Sequence, residues 1–169
     1  MVKMDNQEFK QIVAELYKKK QYRPTGVFLL YDYWQRFLIC QSAKNRLVWG
    51  FPQGGVELDE TFFQNMKREL KEELDINADT DLDRMVFGFH YEILDTEEKR
   101  KNERSFSTGK AYFFSLAKYV GNGNFSRQEE ELSNIAWLNR SEMISYLRLQ
   151  RKEKADLLER ALEKSIKLI

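Results

Sequence analysis

Gly54-Gly55-Val56-Glu57-Leu58-Asp59-Glu60, running on through Arg68-Glu69-Leu70-Lys71-Glu72-Glu73 to Asp75-Ile76, is the stretch that decides the fold. The glycine pair lets the backbone turn sharply or approach a ligand with no Cβ in the way, which makes Gly54 and Gly55 candidate substrate contacts. The residues that follow pattern as a helix. At about 100° per residue, Glu72 and Glu73 fall about −60° and +40° from Glu69, so the three carboxylates share one face. Phe63, Met66, Leu70 and Leu74 occupy the adjoining arc, the stripe a core needs. One flank of this helix should wedge into the protein while the other offers a carboxylate cluster.

Clustered carboxylates repel one another. At about 5 Å and an effective dielectric near 20, each pair costs roughly 3 kcal/mol. Lys67, Arg68 and Lys71 can relieve part of this, as on any solvated charged helix. That reading leaves the glycine pair and Glu60 at the start of the helix unexplained. A hard divalent cation accounts for them better: Mg²⁺ binds through a few carboxylates together with substrate phosphates, and Mn²⁺ is the alternative.

Gly54, five residues, Glu60, seven residues, Arg68-Glu69-Leu70-Lys71-Glu72-Glu73, one residue, then Asp75 and Ile76 together resemble the Nudix box. The match covers residues 54–76 and departs from the family at Asp75, where a glycine is usual. Asp tolerates left-handed backbone better than most residues, so a left-handed helix end is expected with the site intact. The resemblance implies an α/β fold, a Nudix-like α/β/α sandwich around a mixed sheet. In it the box helix lies on one side and the terminal helices on the other faces. It also implies Mg²⁺-dependent pyrophosphate hydrolysis, with Glu69, Glu72 and Glu73 as metal ligands and Arg68 orienting a box carboxylate. Glu60 would do similar work or meet a second metal. Glu131, six residues before Trp137, resembles the loop glutamate that reaches the metals ahead of the last strand in this family. Glu129 and Glu130 read as an acidic loop start.

Composition bounds the rest. The chain has 169 residues, 42% of them hydrophobic and 14% aromatic, enough for one domain over 1–169 with a sizeable core. A net charge of +1 gives no global field for nucleic acid, so any polyanion site must be local. The single cysteine, Cys40, excludes an intrachain disulfide and reads as a buried strand residue in Phe37-Leu38-Ile39-Cys40. With no apolar signal core and no run of membrane-spanning length, the expected setting is the cytoplasm, without a membrane partner.

The remaining elements follow from periodicity. Asp5 can cap a helix over about 5–20 carrying Phe9, Ile12, Val13, Leu16 and Tyr17, which ends in Lys18-Lys19-Lys20. Strands are expected at 26–31, 37–41, 85–94, 110–119 and 135–138, with a turn around Asp32–Gln35. Pro52 limits any strand before the glycine pair. Asn77, Asp79, Asp81 and Asp83 read as a polar connector, and 95–104 as an exposed charged excursion. Ser141 is the expected cap of the first of two C-terminal helices over about 141–168.

Tyr22-Arg23-Pro24 and Phe51-Pro52-Gln53-Gly54-Gly55 resemble the RNA 5′-pyrophosphohydrolase and dinucleoside polyphosphate hydrolase branch. Trp49-Gly50-Phe51-Pro52 is similar to mRNA-decapping members. His90 and Glu92 stand where the RNA group has basic residues, and Gly109-Lys110-Ala111 replaces its Gln/Lys-rich lead-in. His90 itself reads as a satisfied strand residue, with Phe89 and Tyr91 together on the opposite strand face, where Tyr91 can stack on a nucleobase. Arg23 is a candidate phosphate contact, expected to matter more for RNA than for a small nucleotide. The expected substrate is a nucleotide: a 5′-triphosphorylated RNA end or a dinucleoside polyphosphate. The alternatives are a nucleoside triphosphate or nucleotide sugar, or a non-catalytic Nudix-fold regulator. The intact Arg68, Glu69, Glu72 and Glu73 weigh against the last.

Overall fold

In the computed structural model, which describes residues 4–96, 106–124, 126 and 132–169, the β-forming runs build one mixed seven-stranded sheet. In chain order the elements are α1 (Asn6–Lys19), β1 (Tyr22–Tyr31), β2 (Phe37–Ser42), β3 (Trp49–Gly50), β4 (Gln53–Gly55), α2 (Phe62–Leu74), α3 (Ala78–Asp81), β5 (Leu82–Asp95), β6 (Gly109–Tyr119), β7 (Leu132–Leu138), α4 (Arg140–Leu147) and α5 (Lys152–Ile166). β1 and β6 run parallel, with Arg23 opposite Lys110. β5 pairs antiparallel with β6. The expected hairpin joins β1 to β2, yet Tyr31 and Phe37 are its paired residues, and beyond them the strands splay. β4 then takes the free edge of β1, while β2 pairs with β3 and β7. Phe51-Pro52 separates β3 from β4, since proline has no N–H to give a ladder. The splay opens a cleft, and β4 delivers the glycine pair into it.

Helices cover both faces. Val27, Leu29, Phe114 and Leu116 pack against Met143 and Leu147 of α4 and Leu157, Leu158, Ala161 and Leu162 of α5. The alternating residues Phe28, Leu30 and Ala117 pack against Met66, Leu70 and Leu74 of α2 on the opposite face. Burial of each of the larger side chains, the leucines, methionines, phenylalanines and Val27, is worth roughly 1.5–3 kcal/mol. Among the described residues no helix is long and apolar enough to cross a membrane.

Five expectations need correction. The N-terminal helix does not take a face away from the box helix: Phe9 of α1 stacks on Phe62 of α2 at 3.9 Å and meets Phe113 at 4.9 Å, so both helices share a layer. Phe62 is the buried aromatic of α2 and Phe63 only half-buried, because α1 supplies a second surface for the helix to pack on. The polar connector contains α3, capped by the Asn77 side chain, with Ala78 buried beneath it. Asn139, not Ser141, caps α4 in a capping box with Glu142. Phe89 and Tyr91 do not share a face: a register shift between Val86 and His90, with Gly88 at φ +62°, puts Phe89 in the α4/α5 cluster and Tyr91 against Phe113 on the α1 side. Of the charged excursion, residues 97–104 lie outside the described residues.

α2 starts on a capping box in which Thr61 and Gln64 bond each other's backbone N–H. It ends at Asp75 in the left-handed region, φ 54° and ψ 34°, the expected ending for a residue at the usual glycine position. Asp75 also pairs with Lys71. A glycine removes the left-handed penalty, so Asp75→Gly should stabilise the fold by about 0.5–1 kcal/mol net of that exposed pair. In a protein of this size this is roughly 1–4 °C in thermal midpoint. Calorimetric melting checks it, and an unchanged or lowered midpoint counts against the strain.

Candidate active site

The site is assembled by Arg68. Its guanidinium donates to both carboxylate oxygens of Glu60, at 2.9 and 2.8 Å, to Glu69 Oε1 at 2.7 Å and to the Gly55 carbonyl at 2.8 Å. Glu60 in turn accepts from the Glu57 backbone N–H at 2.7 Å. The buried Asn65 donates to the same Gly55 carbonyl at 3.0 Å. The loop before α2 is therefore tied to the helix it precedes by charge-assisted bonds, the strong class of hydrogen bond. Hydrogen bonding to Glu60, with Glu69 adding to it and burial opposing, raises the Arg68 pKa further, so it stays charged.

The glycine pair makes room on both sides of the sheet. A Cβ on Gly54 would lie 1.9 Å from Glu69 Cδ, and one on Gly55 would lie 2.5 Å from an Arg23 guanidinium nitrogen. Gly54 thus clears the α2 side for a carboxylate, and Gly55 clears the α5 side for a cation. Between them lies a cavity of about 490 Å³. Glu57, Glu69, Glu72 and Glu73 line it on one wall, and Arg23, Lys110 and Lys154 on the other. As register partners on parallel strands, Arg23 and Lys110 project side by side.

Burial raises the Glu69 pKa, while Arg68 and Arg23 pull it down and Glu72 adds to the rise. Cys40 also lines the cavity, but burial, reinforced by Glu73, pushes its thiol pKa well up, so it offers no thiolate. The donors left are carboxylate oxygens, which suit Mg²⁺ or Mn²⁺ and not a soft ion. Among the described residues no three His, Cys, Asp or Glu side chains are gathered closely enough, as placed, to hold an ion. Glu69 is engaged by Arg68 and Glu72 is largely exposed, so binding would draw them inward.

The structure brings Arg23, Gly54, Gly55, Arg68, Glu69, Glu72 and Glu73 into one cavity. Glu131 lies outside the described residues. Tyr91 does not line the cavity; its ring packs on Phe113 at 4.7 Å. His90 is satisfied away from it, with Nε2 2.6 Å from Glu92 and Nδ1 2.8 Å from the Lys164 ammonium. A lysine can only donate, so Nδ1 accepts and the proton sits on Nε2. Sequence reasoning missed Asn65, Lys110 and Lys154. The β1–β6 pairing alone sets Lys110 beside Arg23, and Lys154 is one charge among many on α5.

A mixed sheet between helical layers, with a glutamate-bearing helix entered through a glycine pair, defines an α/β enzyme of the Nudix type. The family model for the NUDIX domain matches residues 21–161, and the chain belongs to that family. It is a Nudix hydrolase, a pyrophosphohydrolase of nucleoside diphosphate-linked substrates. Among solved structures, the fold is similar to the E. coli dihydroneopterin triphosphate pyrophosphohydrolase, at TM-score 0.67, 17% identity and coverage of 85% of this chain and 96% of that one. It is also similar to a C. elegans Ap4A hydrolase, at 0.61, 22%, 87% and 99%. The MutT protein of Methanosarcina mazei follows at 0.57, 19%, 87% and 97%. No curated protein matches the sequence.

The contact between Gly54 and Glu69 can be tested directly. Gly54→Ala should displace the Glu69 carboxylate and lower kcat/KM by about tenfold or more, since shifts near 1 Å can cost up to 100-fold. Gly50→Ala, whose Cβ would meet only Leu158 Cδ1 at 4.0 Å among the described residues, should stay within about threefold on the same reasoning. Steady-state kinetics with thermal melts separate this from misfolding. Equal losses in the two variants would contradict the role given to Gly54.

Proposed function

We propose that this chain hydrolyses a phosphoanhydride bond in a 5′-triphosphorylated RNA end or a dinucleoside polyphosphate, in a cytoplasmic setting and with Mg²⁺ as cofactor. The observation that carries this reading is the two-walled cavity, with box carboxylates facing Arg23 and Lys110 across the glycine pair. Glu69, Glu72 and Glu73 would hold the metal, joined by Glu131 from the segment before β7. When bound, the ion neutralises phosphate charge and acidifies a water. Arg68 fixes the Glu69 carboxylate and the Gly55 carbonyl, so the carboxylate wall keeps its orientation. Arg23 and Lys110 bind phosphoryl oxygens and hold the chain of phosphates across the cavity; Glu131 positions the attacking water. The likeness to an Ap4A hydrolase supports a two-ended substrate. A second reading, a smaller triphosphate, is supported by the likeness to the dihydroneopterin triphosphate enzyme.

With Arg23 beside Glu69, its role extends to the phosphate chain common to all these substrates. Arg23→Ala should therefore lower kcat/KM on RNA, dinucleoside polyphosphate and mononucleotide alike by about tenfold, the worth of one charge-assisted bond. A loss confined to RNA would instead make it an RNA contact.

The metal assignment is tested at Glu73. Glu73→Gln nearly keeps the volume and removes a charge, so the fold should persist while Mg²⁺-dependent turnover is abolished. Wild-type rates at saturating Mg²⁺ would refute the assignment. Glu131→Gln should slow turnover while most metal affinity remains, and Glu129→Gln should do neither. Equal effects of the two would reduce the segment to general negative charge.

A further inference from the structure

Of the buried residues of α2, which are Phe62, Asn65, Met66, Leu70 and Leu74, Asn65 alone is polar, and it is only 2% exposed. Burying an amide costs free energy unless its hydrogen bonds are made, and alanine is the better helix former. Asn65 stands three residues before Arg68 and four before Glu69, so the three side chains leave one face of α2 together. Its Nδ2 donates to the Gly55 carbonyl at 3.0 Å. Its Oδ1 lies against the backbone of β1, where a Cβ on Gly26 would stand 1.9 Å from it. Gly26 thus leaves room for Asn65 as Gly54 leaves room for Glu69.

The sheet itself does not hold the Gly55 carbonyl. Val56 donates to the Pro24 carbonyl and Phe28 to the Pro52 carbonyl, each at 2.9 Å. Bonded and non-bonded pairs alternate in an antiparallel ladder, so Gly26–Gly54 is the rung between these two and the Thr25–Gly55 pair is unbonded. The Gly55 carbonyl therefore points away from β1. Its two lone pairs are taken by Arg68 Nη2 at 2.8 Å and by Asn65. These donors differ in kind. The Arg68 guanidinium also bonds Glu60 and Glu69, so it follows those carboxylates when they move. The Asn65 amide is seated between its helix and Gly26, and its hold on Gly55 passes through no charged group.

Gly55 in turn abuts the Arg23 guanidinium, and Gly54 abuts Glu69. We infer that Asn65 is a positioning residue for the hydrolysis proposed above, on which this role rests: by clamping the Gly55 carbonyl to α2, it sets the glycine pair at the height that spaces Glu69 from Arg23. It acts through Gly55 and touches neither the substrate nor the reacting atoms.

The test uses Asn65→Leu, which nearly keeps the shape and removes the donor, and Asn65→Ala, which removes both. Steady-state kinetics on a dinucleoside tetraphosphate with Mg²⁺ are paired with native-state amide exchange followed by NMR. Both variants should lower kcat by about tenfold or more, since misplacement near 1 Å can cost up to about 100-fold, and leave KM within about threefold. Amide exchange should quicken at Gly54 and Val56 in β4 while Ile39 in β2 keeps its wild-type rate, a local loosening that general destabilisation does not produce. A wild-type kcat in Asn65→Leu would make Asn65 a packing residue and overturn the proposal. So would a wild-type kcat in Asn65→Ala, a loss carried by KM, or exchange that is unchanged in β4 or quickens equally in β2. If the wild type turns over no phosphoanhydride substrate, the hydrolase reading fails, while the exchange pattern still tests the clamp on Gly55.

Discussion

Arg68 is the constraint on which the site depends. One guanidinium ties the loop glutamate Glu60, the helix glutamate Glu69 and the Gly55 carbonyl into a single unit. Without it, the carboxylates of α2 would repel one another across a cavity that already raises the Glu69 pKa by burial. With it, the loop, the start of α2 and the end of β4 move as one body, because each is bonded to the same planar fork. Breaking a pair this sheltered leaves a charge behind, which is far costlier than the pair's own net worth.

The sheet supplies the second half of the arrangement. β1 and β2 join at Tyr31 and Phe37 and then separate, so β4 can lie along β1 with a glycine aimed at each face. A sheet with side chains at both positions would be closed there. Opened, it lets Glu69 approach from the α2 layer and Arg23 from the other. Carboxylates and cations then line one cavity, close enough that the Arg23 charge pulls the Glu69 pKa down. A pyrophosphate linkage, with a metal on one flank and cations on the other, matches that polarity.

Much of this was legible in the sequence because the information is local. The spacing of Glu69, Glu72 and Glu73 sets their common face, and Asp75 marks the left-handed end of α2. Strand positions followed from β-forming runs, and Pro52 from its missing N–H. The losses occurred where non-local packing decides. Nothing in residues 5–20 says that α1 lies beside α2, since its apolar stripe would fit either face of the sheet. The irregularity at Gly88 set Phe89 opposite Tyr91, because between Val86 and His90 β5 advances four residues against two on β6 and the simple alternation breaks there. Lys110 and Lys154 gained their place from strand register and from the docking of α5, neither of which leaves a local pattern.

The central claim is that the two walls act together on a phosphoanhydride bond. The direct measurement is a Mg²⁺ turnover screen of triphosphorylated RNA, a dinucleoside tetraphosphate, a nucleoside triphosphate and a nucleotide sugar, with every product identified by mass. The account predicts cleavage between phosphorus atoms, fastest on the RNA end or the dinucleoside tetraphosphate, and abolished by EDTA. Turnover of none of these, or turnover that persists in EDTA, would contradict it.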